Sequence, residues 1–89
     1  MGEDKDKLRK ILDDTHDWPS VYLYKFILKG DNKRIAQIEG LFTDSAQIST
    51  KESSKGSYIS ISVREVAMNS DEVLVIYGKA RAIEGVMVL

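Results

Sequence analysis

Hydrophobic and polar positions change their period several times along the chain, and each change predicts an element. Residues 3–14 set Leu8, Ile11 and Leu12 at helical spacing within a charged stretch, predicting a short amphipathic N-terminal helix that docks weakly or frays. Trp18-Pro19 is expected to end it, because the residue before a proline is pushed out of the helical region. Residues 20–29, SVYLYKFILK, are rich in aromatic and branched side chains and predict a first strand. Gly30-Asp31-Asn32 then turns the chain, and Asp31 is a suitable N-cap for a helix through Asp44 with Ile35, Ile38, Leu41 and Phe42 on one face. Residues 46–52 alternate Ala46, Ile48 and Thr50 against Gln47, Ser49 and Lys51, which is strand periodicity. Tyr58 to Val66 alternates again, with Ile59, Ile61 and Val63 on one face and Ser60, Ser62 and Arg64 on the other. A polar loop from Glu52 to Ser57, holding Gly56, joins the two runs into a hairpin. Asn69 with Glu72 three residues on starts a helix over 70–82, whose inward stripe is Val73, Ile76, Tyr77, Ala80 and Ile83. Glu84-Gly85 breaks it, and Val86 to Leu89 forms a short last strand.

The element order is a helix followed by βαββαβ. With crossovers of the usual hand, this predicts an α+β fold: a ferredoxin-like sandwich, two helices on one face of a four-stranded antiparallel sheet, the last strand beside the first. Residues 1–17 are expected to form an N-terminal helical extension and 18–89 the ferredoxin-like domain. Gly40 and Gly78 fall inside the two main helices, where each costs about 1 kcal/mol against alanine. They are expected either to let a helix approach its neighbours closely or to be tolerated imperfections.

Composition narrows the function. Eighty-nine residues allow one core. Thirteen basic residues against fourteen acidic ones give a net charge of −1, so there is no long-range field to draw in nucleic acid or an anionic membrane. The chain has no cysteine, which excludes disulfides, zinc fingers, iron–sulfur clusters and thiol nucleophiles. The opening MGEDKDKLRK is charged where a signal peptide is apolar, and Asp6 stands where myristoylation wants Ser or Thr, so a cytoplasmic location is expected.

Candidate chemistry is sparse. Ser53-Ser54-Lys55-Gly56-Ser57 could make an anion-binding concavity, but its Lys-Gly order is followed by a strand, and a hairpin turn explains it better. Lys55-Gly56-x-Tyr58 faintly resembles an RNA-recognition motif. Ser60 and Ser62 stand beyond Tyr58 where stacking aromatics are needed, so nucleic-acid binding is not expected. His16 is the one histidine, beside Asp13, Asp14 and Asp17, and reads as a solvated turn residue. Asp13/Asp14 and Asp71/Glu72 sit at helix ends, the second pair suited to a positive helix N-terminus. No catalytic, cofactor-binding or metal-ligating residues are assigned, no cofactor is expected, and a non-enzymatic role is expected, with a small enzyme the lowest-ranked alternative for want of a convergent acid, base or nucleophile.

Strand parity is more informative. If Tyr22, Tyr24, Phe26 and Leu28 face the helices, then Val21, Leu23, Lys25 and Ile27 face outward beside Tyr58, Ser60 and Ser62. The opposite parity buries Lys25, at severe cost for an unpaired charge. Leu23 and Ile27 next to Tyr58 would form an exposed apolar patch in need of a cover. The candidate interaction surface is therefore Leu23, Lys25, Ile27 and Tyr58, with Ser54, Lys55 and Gly56 in the adjoining loop.

Several of these residues also carry a family likeness. Trp18-Pro19, Tyr22-x-Tyr24-Lys25, the run Ser53 to Ser62, Tyr77 and the ending Val86-Met87-Val88-Leu89 resemble the YbeD-like family of small bacterial proteins of unknown function over about residues 17–89. The resemblance implies a ferredoxin-like domain similar in shape to the ACT domains that regulate amino-acid enzymes, with no catalytic residues assigned. The function expected is a non-catalytic binding or regulatory module, acting as a homodimer or on a protein partner. The alternative is an ACT-like sensor of a small metabolite.

Overall fold

The computed structural model describes residues 2–53 and 55–89. Its elements are α1 (Gly2–Thr15), β1 (Ser20–Lys29), α2 (Asn32–Glu39), β2 (Gln47–Glu52), β3 (Tyr58–Ala67), α3 (Ser70–Arg81) and β4 (Val86–Val88). Three helices and a four-stranded antiparallel sheet make the α+β class expected from the pattern. The strands lie in the order β2-β3-β1-β4, so the last strand does lie beside the first. No helix among the described residues is long and apolar enough to cross a membrane.

The centre of the sheet is the β1–β3 pair, matched residue for residue from Ser20 opposite Ala67 to Lys29 opposite Tyr58. Because side chains alternate faces, one register places Tyr24, Phe26 and Leu28 of β1 beside Ile61, Val63 and Ala67 of β3 on the helix side. Ile38 of α2 and Val73, Tyr77 and Ala80 of α3 close over them. Lys25 is exposed on the other side. The parity expected from the cost of burying Lys25 is the parity found.

α3 starts as Asn69 and Glu72 predict. The Asn69 side chain accepts from the Glu72 N–H at 3.0 Å, occupying a donor that the first turn leaves open, and Glu72 Oε2 reaches back past the cap to accept from the Met68 N–H at 2.8 Å. Tyr77 then reaches the sheet, its hydroxyl 2.7 Å from that of Tyr22.

Several details differ from expectation, each for a local reason. α2 does not run through Asp44 but ends at Glu39, and Gly40 is its C-cap rather than an interior residue. Leu41 and Phe42 still pack on the core, carried there by the turn that follows. Gly78 does lie inside α3, yet a Cβ built on it would meet no atom within 4 Å, so it serves no close approach. α1 stops at Thr15, ahead of Trp18-Pro19: the Thr15 hydroxyl donates to the Ile11 carbonyl at 2.8 Å, and His16 Nδ1 lies 3.2 Å from the Leu12 carbonyl. Helix end groups are satisfied locally, and the proline is not what ends the helix.

α1 is also better anchored than a fraying helix. Leu12 is buried in the common core and Leu8 packs against it, while Ile11, expected on the same stripe, points to solvent. Trp18 Nε1 donates to Asp13 at 2.9 Å, Arg9 pairs with Asp71 of α3 at 2.8 Å, and His16 stacks on Trp18 instead of standing free. On β2 every residue is exposed, Ile48 included, although Ile48 pairs with inward Val63. The alternation there is real, but an edge strand lacks the cover that would use it.

The turn into β4 is held by a clamp. Arg34 Nε donates to the Glu84 carbonyl at 2.9 Å, and its Nη1 lies 3.2 Å from Asp31 Oδ2. Gly85 takes φ +83 beneath the guanidinium, where an added Cβ would stand 2.9 Å from Arg34 Nε. β4 itself is three residues, with Val88 opposite Phe26 and Val86 opposite Leu28, so it covers the edge of the most buried part of β1. Deleting Gly85 to Leu89 should therefore abolish cooperative thermal unfolding followed by circular dichroism. A sharp melt in the shortened chain would mean that β4 is dispensable.

Candidate functional site

Two surfaces merit a functional reading, and the outer face of the sheet is the one parity predicted. Leu23 and Lys25 are exposed, Ile27 is half-buried, and Tyr58 is 49% exposed. Register corrects the expectation that these form one patch. Leu23 lies opposite Arg64, whereas Tyr58 lies opposite Lys29, six residues further along β1 or about 20 Å at strand rise. Tyr58 instead shares a hollow with Ile27, Lys51 and Ser60, and Met87 of β4 sits opposite Ile27. At the other end, Val21 and Val66 face each other next to Leu23.

Between the two apolar ends runs a polar band. Lys25 is opposite Ser62, and Ser62 is opposite Ser49. Leu23, Lys25, Gln47, Ser49, Ser62 and Arg64 line a shallow groove of about 440 Å³ here. The charge on this face is one-sided. By strand parity the charged residues that the described strands point outward are Lys25, Lys29, Lys51 and Arg64, while Glu52, of the opposite parity at the end of β2, reaches the hollow beside Tyr58. Balance over the whole chain hid this segregation.

The hairpin loop beside Tyr58 is a turn, as its residue order predicts. The Ser53 N–H donates to the Tyr58 carbonyl at 2.8 Å, and the Gly56 N–H donates to the Ser53 carbonyl at 2.9 Å with Gly56 at φ +69. The Gly56 amide is thus engaged within the turn, which weakens an anion-binding reading. Lys55 is exposed, and Ser54 lies outside the described residues.

The second surface went unpredicted. On the helix side, a cleft of about 620 Å³ lies between the turn after α2, the end of β3 and the first turns of α3. Leu41, Met68, Val75 and Ile76 give it apolar walls, and Glu65, Asp71 and Glu72 supply carboxylates with no Lys, Arg or His among the lining residues. Glu65 continues the inward parity of β3 after Ile61 and Val63, and its Oε2 accepts from the Thr43 N–H and hydroxyl at 3.0 and 2.6 Å. That inward carboxylate was the available signal: a charge at a position where alternation calls for an apolar residue.

Tyr24 completes the cleft. It is 3% exposed, its ring meets Phe42 edge-on at 5.1 Å, and its hydroxyl has no hydrogen-bond partner among the described residues. Burial, then the charge of Glu65, pushes its pKa up to about 12. Burial likewise raises Tyr77, assisted by its bond to Tyr22. Both hydroxyls remain protonated donors at neutral pH.

The comparisons with known proteins follow from the fold. A family model described as "Protein of unknown function (DUF493)" matches residues 13–89, the same relatives that the hairpin residues resemble. Among curated proteins none matches. Among solved structures the chain is similar to the ACT domain from GTP pyrophosphokinase of Chlorobium tepidum, with a TM-score of 0.53 and 18% identity over 79% of this chain and 100% of that one. At that identity the likeness is one of fold.

The tyrosines set an alkaline limit. A phenol whose folded pKa is raised stabilises the fold fully below its unfolded pKa near 10, and that stability is lost as pH climbs toward the folded value. Stability to urea should therefore hold up to about pH 10 and fall between pH 10 and about 12, as Tyr24 ionises. Tyrosinate absorbance rising for all four tyrosines below that window, with the fold intact, would contradict the burial described.

Proposed function

We propose that this chain, which belongs to the DUF493 family of proteins of unknown function, is a small non-catalytic regulatory module that binds a partner protein through the open face of a ferredoxin-like sheet. The observation that carries the reading is the uncovered outer face, with exposed apolar side chains at both ends and a band of hydroxyl, amide and cationic side chains between them. Large apolar side chains left in water on a small domain are what an interface uses. The side chains there are mostly apolar, hydroxyl, amide or cationic, a set suited to contact more than to acid–base chemistry.

Charge selects the occupant. Two copies stacked face to face would press Lys25 and Arg64 against cations of the same set, which costs free energy once water is displaced. A partner with an apolar, acidic surface meets both the grease and the charge. Nucleic acid also carries negative charge, but Ser60 and Ser62 occupy the positions between Tyr58 and Arg64 where base stacking would need aromatics. A homodimer formed along the exposed β2 edge would leave this face free for the partner.

A second reading, a sensor of a small metabolite, is favoured by the cleft at Tyr24 and by likeness to an ACT domain.

The test compares affinity capture from native cells by the wild type and by the Lys25→Glu/Arg64→Glu double variant. Both residues are exposed, so the melting temperature should change little. A protein captured by the wild type should be lost with the double variant, and the purified pair should weaken by at least tenfold and show strong salt dependence. Equal retention by both chains would remove the sheet face from the binding surface. Sedimentation of a dimer that Leu23→Lys dissociates would put a second copy there instead.

A further inference from the structure

We infer that the cleft beneath Tyr24 is a binding site for a small amphipathic cation, a primary ammonium carried on a short apolar body. The inference deepens the sensor reading by naming its site and ligand class, and it is independent of the sheet face.

Three observations converge. The first is the Tyr24 hydroxyl, the open tip of a residue only 3% exposed, which lines the cleft and makes no hydrogen bond among the described residues. A tyrosine whose ring is packed away and whose hydroxyl alone opens onto a cleft offers that hydroxyl to water or to a ligand. It can accept through its lone pairs as well as donate.

The second is the use of the carboxylates. Glu65 engages Oε2 with Thr43, Glu72 engages Oε2 with the Met68 N–H, and Asp71 engages Oδ1 with Arg9. Each is held in place by one oxygen, and its second oxygen has no protein partner among the described residues. Fixed acceptors cost little ordering entropy when a donor arrives. Arg9 already serves Asp71, but Glu65 and Glu72 pair with no Lys, Arg or His among the described residues, and no basic residue lines the cleft itself.

The third is shape. Leu41, Met68, Val75 and Ile76 form an apolar wall next to these acceptors, and a cleft of about 620 Å³ falls within the range of ligand sites. A bare metal ion would leave that wall unused, and an anion would be repelled. An alkylammonium satisfies both halves: its three N–H donors meet Tyr24, Glu65 and Glu72, and its chain lies on the aliphatic side chains.

The probes are hexylammonium and, as the isosteric anion, hexanoate, each titrated into the folded chain and followed by ¹H–¹⁵N correlation spectra. Hexylammonium should give saturable shifts confined to Tyr24, Leu41 to Ser45, Glu65 and the first turns of α3, while hexanoate gives none. Glu65→Gln, which keeps an oxygen for Thr43, should weaken binding about tenfold, as expected for loss of a charge-assisted bond. Tyr24→Phe should weaken it about fivefold while leaving the melting temperature unchanged or raised, because the hydroxyl it removes has no partner to lose. A fall in melting temperature with Tyr24→Phe would assign the hydroxyl a structural role and overturn the inference. Saturable binding of hexanoate alone would overturn the cation while leaving a sensor in place. Absence of saturation with either probe, or shifts elsewhere on the surface, would overturn the site.

Discussion

Everything in this molecule depends on the register of one central strand pair. β1 and β3 match over ten residues, and a slip of one would turn every side chain to the opposite face. Phe26 and Leu28 would then meet water, and Lys25 would be driven in among the aromatic and aliphatic side chains of the helix side. That asymmetry fixes which surface of the sheet takes the helices. It also fixes which surface is left bare, so core and candidate interface are two outcomes of one constraint.

The bare surface then acquires its character from what the core does not need. Inward positions on β1 and β3 are aromatic or aliphatic apart from Ser20 and Glu65, and outward positions hold all the lysine and arginine of the central strands. Acidic residues collect elsewhere, in the first turn of α3 and at the end of β3 on the helix side, where the Tyr24 cleft lies. A chain of nearly zero net charge thereby presents a cationic sheet face and an anionic cleft. Local fields of this kind steer partners even when the total charge is silent.

Period and caps were legible in the residues wherever a single local rule decided the outcome. Asn69 and Glu72 announced α3, and Tyr24, Phe26 and Leu28 announced the buried side of β1. The end of α2 was not legible, since Leu41 and Phe42 keep helical spacing after the helix has stopped and reach the core through a turn. The separation of Leu23 from Tyr58 was equally hidden, because parity gives the face of a residue while only register gives its neighbour. The cleft required three distant segments to meet around Tyr24. Of its parts, only Glu65 broke a visible pattern.

The clamp at the α3–β4 corner has a consequence for how such a chain can vary. Arg34 lies over residue 85 so closely that any side chain there would displace the guanidinium from the Glu84 carbonyl, and the backbone at that point already favours glycine. A side chain at 85 would thus meet two obstacles, the guanidinium and a left-handed backbone, and a shorter residue at 34 would remove only the first. Drift at either position alone loosens the corner that delivers β4 to its edge.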